Sequence, residues 1–261
     1  MSSNPFLPPE ILDYIVDLLH DNPEVLRECC LTSTSWIPRT RKHLFARIKF
    51  HTPNILQSWK DTFPDPFDSP AHHTRALAYS QSVVDATAAD WIAGFSHVVR
   101  LEVTCRATPD TLTAVSFVPF HGFPPAIKYL RVVFSTLPTP EIFNLILSFP
   151  LLEDLSMATY FGEATGDDGF GGLQTAIRPQ TQPTFTGSLD LFLGEGIGPV
   201  TSWLLSLPGG IHFQKLSLAW FREADAPLIT ALVRECSDTL ESLHITLLTF
   251  GTSIQHPCPL Q

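Results

Sequence analysis

Gly194, Gly196 and Gly198 alternate through a short stretch, the residue type that lets a backbone approach a phosphate closely. Their spacing is not that of a dinucleotide cradle and no basic residue stands beside them, so they read as a loop. The Walker phosphate loop and the Gly-x-Ser-x-Gly nucleophile elbow are both missing, which leaves phosphoryl transfer and serine hydrolysis without a motif. His72 and His73 are adjacent, and on a strand they would point to opposite faces, a poor pair for one metal ion. Asp167 and Asp168 lie in the Gly-rich, acidic segment Gly162–Gly172 and read as solvated turn residues. Cys29 and Cys30 fall in an apolar helical segment and are expected to be buried and inert, and Cys258 to be exposed. The chain is therefore expected not to be an enzyme and to need neither metal nor cofactor.

The elements that carry the remaining signal begin at the N-terminus. Pro8-Pro9-Glu10 opens a helix well, because proline suits a first turn and an acid complements the positive end of the helix dipole. Ile11, Leu12, Ile15, Leu18 and Leu19 follow at helical spacing. Asp21-Asn22-Pro23-Glu24 repeats the start signal, with Val25, Leu26, Cys29 and Cys30 as its apolar positions. A third short segment begins near Ser35-Trp36-Ile37-Pro38 and runs through basic residues to Leu44-Phe45. Three helices this short bury little area, so the unit is expected to lean on a partner or on the rest of the chain.

Leu7-Pro8-x-Glu10-Ile11-Leu12-x-x-Ile15, followed by Leu26, Cys29, Leu31, Trp36 and Leu44-Phe45, resembles an F-box, in the form found in fungal F-box proteins. Where that pattern shows Val-Cys-Lys/Arg before the tryptophan, this chain has Thr32-Ser33-Thr34. The resemblance implies that apolar helices recruit the Skp-family adaptor of a cullin–RING ubiquitin ligase. Carried over position by position, it implies adaptor contacts from Leu7, Pro8, Ile11, Leu12, Ile15, Leu19, Leu31 and Trp36. On periodicity alone the same residues form the core of an N-terminal helical cap.

Beyond this segment a degenerate repeat recurs, of the form apolar-x-x-Leu-x-apolar. It is clearest at Val98-x-x-Leu101-x-Val103, Ile127-x-x-Leu130-x-Val132, Leu152-x-x-Leu155-x-Met157, Phe213-x-x-Leu216-x-Leu218 and Leu240-x-x-Leu243-x-Ile245. Weaker copies centre on Ile48, Leu77 and Leu189. The intervals are close to the roughly 20–29 residues of leucine-rich repeats, with one insertion between Leu155 and Leu189. Helical stretches fall between the anchors, at Val83–Phe95, Pro140–Phe149, Pro199–Leu207 and Asp225–Cys236. The fold predicted is thus of the α+β or α/β repeat class: a three-helix F-box over residues 1–46, then an irregular leucine-rich-repeat-like solenoid with a parallel sheet over 47–261. No polar capping repeat follows the last strand, at Leu243–Leu248, so that edge is expected to pack on something or to associate.

Composition bounds the partners. The 261 residues include 23 prolines, enough to keep every element short, and their formal net charge is −10. Six acids and six bases balance within residues 1–50, so the whole excess lies beyond them and opposes a phosphate backbone. Neither a nucleic acid nor a membrane is an expected partner; the longest apolar run, Ile142 to Leu152, is too short to span a bilayer. Five cysteines with no Cys-x-x-Cys pair, no secretory signal and no glycosylation sequon point to the cytoplasm or nucleus. The function these readings imply is substrate recognition for an SCF-type ubiquitin ligase, the repeats holding an unknown protein target. The face expected to hold it is the exposed strand face, around Arg100 and Lys215, or the loop at Gly162–Gly172. The alternative is a repeat scaffold whose F-box-like cap is purely structural.

Overall fold

The computed structural model describes residues 8–80, 91–92, 94–105, 126–134, 140–159, 183, 185–193, 197–221 and 223–247. It opens with three helices, α1 (Pro9–Leu18), α2 (Pro23–Thr32) and α3 (Ile37–Leu44), the last entered through a 3-10 turn at Thr34–Trp36. Strand β1 (Arg47–Phe50) then leads into α4 (Pro53–Thr62), and β2 (Ala76–Ser80), β3 (Arg100–Cys105) and β4 (Tyr129–Phe134) follow. The remainder alternates: α5 (Pro140–Leu147), β5 (Asp154–Thr159), β6 (Ser188–Phe192), α6 (Ile197–Leu205), β7 (Lys215–Phe221), α7 (Ala226–Glu235) and β8 (Ser242–Leu247). Each of these seven helices carries a proline in its first turn, where the missing N–H costs nothing: Pro9, Pro23, Pro38, Pro53, Pro140, Pro199 and Pro227. The high proline content is in this way compatible with regular structure.

All eight strands form one parallel sheet in sequence order. The eight anchors of the repeat, Ile48, Leu77, Leu101, Leu130, Leu155, Leu189, Leu216 and Leu243, are successive register partners and make one row across it. A second periodicity lies in the backbone just before each strand. Arg75 and Ala76 both donate to the Ala46 carbonyl, Val99 and Arg100 to that of Arg75, and Lys128 and Tyr129 to that of Val99. The pattern recurs at the Lys128, Gly187 and Gln214 carbonyls; at Glu153 only the Gly187 N–H donates to the carbonyl, and the Ser188 N–H turns to the Asp154 side chain instead. Each turn of chain thus satisfies the polar backbone of the next, which a sheet of parallel strands requires.

The core lies on the anchor face. Leu101, Leu130, Leu155, Leu189 and Leu216 are at most 1 % exposed, while Leu243 on the outermost strand is 44 % exposed. The position three before the anchor is apolar in six of the eight copies, and all six, Phe45, Val98, Ile127, Leu152, Phe213 and Leu240, belong to the core or pack against it. Thr74 occupies one of the two exceptions and is buried because its hydroxyl donates to the Phe45 carbonyl at 3.0 Å. Near β1 the core is aromatic, with Trp59 edge-on to Phe45 and Phe50 at 5.8 Å.

Two of the expectations are refined by the structure. His72 and His73 stand in a 3-10 turn, Pro70–His73, not on a strand, and their rings lie 3.9 Å apart. Cys29 is buried, but Cys30 is half-buried and its sulfur lies 2.9 Å from the Thr40 hydroxyl. The predicted helix from Val83 has most of its length outside the described residues, as do Leu7, Gly162–Gly172 and Cys258.

Candidate interaction surfaces

The N-terminal helices bury a small set of side chains: Val16, Leu26, Cys29 and Thr40. Burying Val16 and Leu26 contributes a few kcal/mol at most, roughly 1.5–3 for each side chain. The unit is held as well by a charged clamp. Asp17 of α1 accepts from the Nε of Arg39 at 2.6 Å and from the Nε2 of His43 at 2.7 Å, both on α3, and the second Asp17 oxygen accepts from the same Arg39 guanidinium. These hydrogen bonds hold the Asp17 carboxyl well below the usual carboxylate range, Arg39 contributing most. A cleft of about 290 Å³ opens beside this clamp, lined by His20, Asp21, Pro23, Leu26, His43, Leu44, Ala46 and Arg47.

None of the described residues that the F-box resemblance assigns to an adaptor is buried. Pro8, Ile11 and Leu31 are exposed, and Leu12, Ile15, Leu19 and Trp36 are half-buried. Two further apolar side chains join them. Tyr14 and Leu18 are 63 % and 65 % exposed and, with Ile11, repeat at the spacing that puts residues on one helix face. Leu31, near the end of α2, is 87 % exposed. Glu10, Asp13 and Asp17 are the only charged residues of α1, so this apolar stripe has an acidic border. Leu18 was visible in the helical periodicity. Tyr14 was not, because an aromatic residue one step from the motif positions gives no signal of its own.

The sheet offers a second surface, on the side away from the core. Arg47, Ala76, Arg100, Tyr129 and Asp154 follow one another in register there, as do Ser188, Lys215 and Ser242. Arg100 and Lys215, the positions singled out from sequence, are both exposed on this side. The Arg100 guanidinium lies 4.2 Å from the centre of the Tyr129 ring. Asp154 accepts from the backbone N–H of Ser188 at 2.6 Å and from its hydroxyl at 2.7 Å, tying β5 to β6. Asp190 is pushed up, first by burial and then by the charge of Asp154, with Arg131 opposing.

Burial pushes the Cys105 thiol up to about 12 and raises those of Cys29 and Cys236, so all three are poor nucleophiles. His73 is pushed down by burial, then by His72 and the nearby cations. Among the described residues no three His, Cys, Asp or Glu side chains group to hold a metal ion, and no helix is long and apolar enough to cross a membrane. Comparison with protein-family models, curated proteins and solved structures finds no match in any of the three.

Proposed function

We propose that this protein is a non-catalytic substrate-recognition subunit of an SCF-type cullin–RING ubiquitin ligase. In this reading α1–α3 are an F-box that docks on a Skp-family adaptor, and the sheet is an irregular leucine-rich-repeat-like solenoid that holds a protein target. The observation that carries it is the exposure of the motif residues. An apolar stripe that served only as a core would be covered, and here Ile11, Tyr14 and Leu18 remain open along α1, as does Leu31 on α2. The row of eight anchors supports the solenoid. The protein's contribution is proximity: target lysines are held near the ubiquitin carrier, and the ligase supplies the chemistry. Co-purification with a Skp-family adaptor tests it directly.

The second reading is a scaffold with a structural cap. It is favoured by the way the helical unit joins the sheet, through Phe45 packed on Trp59 and Phe63 and the Thr74 bond to the Phe45 carbonyl. Deleting residues 1–46 separates the two. A scaffold unfolds or aggregates on losing its cap, whereas a recruiting module leaves the sheet folded.

A further inference from the structure

The outer face of β2 is unusually small. Ala76 and Ala78 point away from the core, while Leu77 and Tyr79 fill it. On one side β1 presents Arg47 and Lys49, the register partners of Ala76 and Ala78; on the other β3 presents Arg100. Alternate side chains share a face, so the strands on either side wall an alanine floor, the Arg100 guanidinium resting over the neighbouring Tyr129 ring. The walls stand two strand spacings apart, roughly 9.6 Å, which is wide enough for one extended chain.

Arg47, Lys49 and Arg100 are exposed, and none of the three makes an ion pair among the described residues. The protein has 26 acids against 16 bases, so three neighbouring cations without ion-pair partners among the described residues run against its overall balance. Glu102, the register partner of Ala78, is the acid that β3 sets beside the trough, and against three cations it leaves the walls with net positive charge. The stacking of Arg100 on Tyr129 orders its guanidinium before any ligand arrives.

From this we infer that the trough over Ala76 and Ala78, walled by Arg47, Lys49 and Arg100, binds an extended acidic peptide segment of a protein partner. Carboxylates spaced two residues apart match the wall cations, and an extended backbone fits the narrow floor. A nucleic acid would carry its phosphates across the acidic remainder of the chain, which disfavours it. The inference deepens the proposed function by naming the chemistry of the target, and it rests on reading the sheet as the target-holding part.

The test uses the full chain and a fluorescein-labelled octapeptide of alternating glutamate and serine, titrated by anisotropy. A lysine–serine peptide of equal length is the control. The wild type is expected to bind the acidic peptide and not the basic one. The Arg47→Glu/Arg100→Glu double variant is expected to weaken binding at least tenfold. Ala78→Trp, which keeps every charge and fills the floor, is expected to do the same. Absence of wild-type binding overturns the inference, and so does wild-type affinity in a folded Ala78→Trp or charge-reversed variant. Adaptor co-purification of the same variants separates the two proposals: peptide binding without adaptor leaves the trough standing, and adaptor binding without peptide removes the trough alone.

Discussion

Asp17 and Arg39 join α1 to α3 by a forked ion pair, Nε to Oδ1 at 2.6 Å with a second prong to Oδ2. The folded Asp17 carboxyl lies below its unfolded value of roughly 3.9. Its contribution to stability is therefore complete above that value and is lost as pH falls through and below it. Asp17→Asn is expected to cost about 1 kcal/mol at pH 7, a modest figure because the pair is partly solvated. Thermal melts of both proteins at several pH values check this. The gap in Tm should narrow steadily below about pH 4, and a gap independent of pH contradicts the clamp.

Within one row of the sheet, Leu130 is fully buried and Leu243 is 44 % exposed. The same truncation should therefore have different costs. Leu130→Ala is expected to destabilise by about 2–5 kcal/mol through lost burial and a cavity, and Leu243→Ala by less than about 1 kcal/mol. Urea midpoints of the two variants decide it, and equal losses would mean that the outermost strand is covered in solution.

Gly187 precedes β6, and a Cβ placed there would collide with the Asp154 carboxylate that accepts both Ser188 bonds. Gly187→Ala is expected to cost about 1–3 kcal/mol by displacing that carboxylate. In an Asp154→Ala background the same substitution should cost much less. A double-mutant cycle with no coupling would place the strain elsewhere.

Much of the sheet was legible before its structure was known. A parallel strand with one buried face must repeat its apolar residues at the same offset, so Leu101, Leu130, Leu155, Leu216 and Leu243 marked a shared register. The weaker anchors Ile48, Leu77 and Leu189 held because the residues around them, Phe50, Tyr79 and Leu191, fill the same core. The repeated donation of two N–H groups to Ala46, Arg75 and Val99 left no mark, since backbone hydrogen bonds do not select side chains. The clamp at Asp17 was equally silent, because an acid between apolar helix positions carries no sign of the cation it meets on another helix. His72 and His73 stand off any strand because Ser69-Pro70 starts a 3-10 turn, where alternation does not govern direction. The alanine trough was invisible too, because Ala76 and Ala78 become a floor only when Arg47 and Arg100 flank them across two strands.

The central claim is adaptor recruitment through the exposed helical stripe, and co-purification of residues 1–261 with a Skp-family adaptor tests it most directly. The wild type is compared with Leu12→Ala/Trp36→Ala and with Ile11→Ala/Tyr14→Ala. If these side chains are central and become desolvated on binding, each truncation costs about 2 kcal/mol. A stoichiometric wild-type complex, lost or weakened more than tenfold in both folded double variants, is the predicted result. A well-folded wild type that forms no complex, or a complex indifferent to both pairs of substitutions, contradicts it.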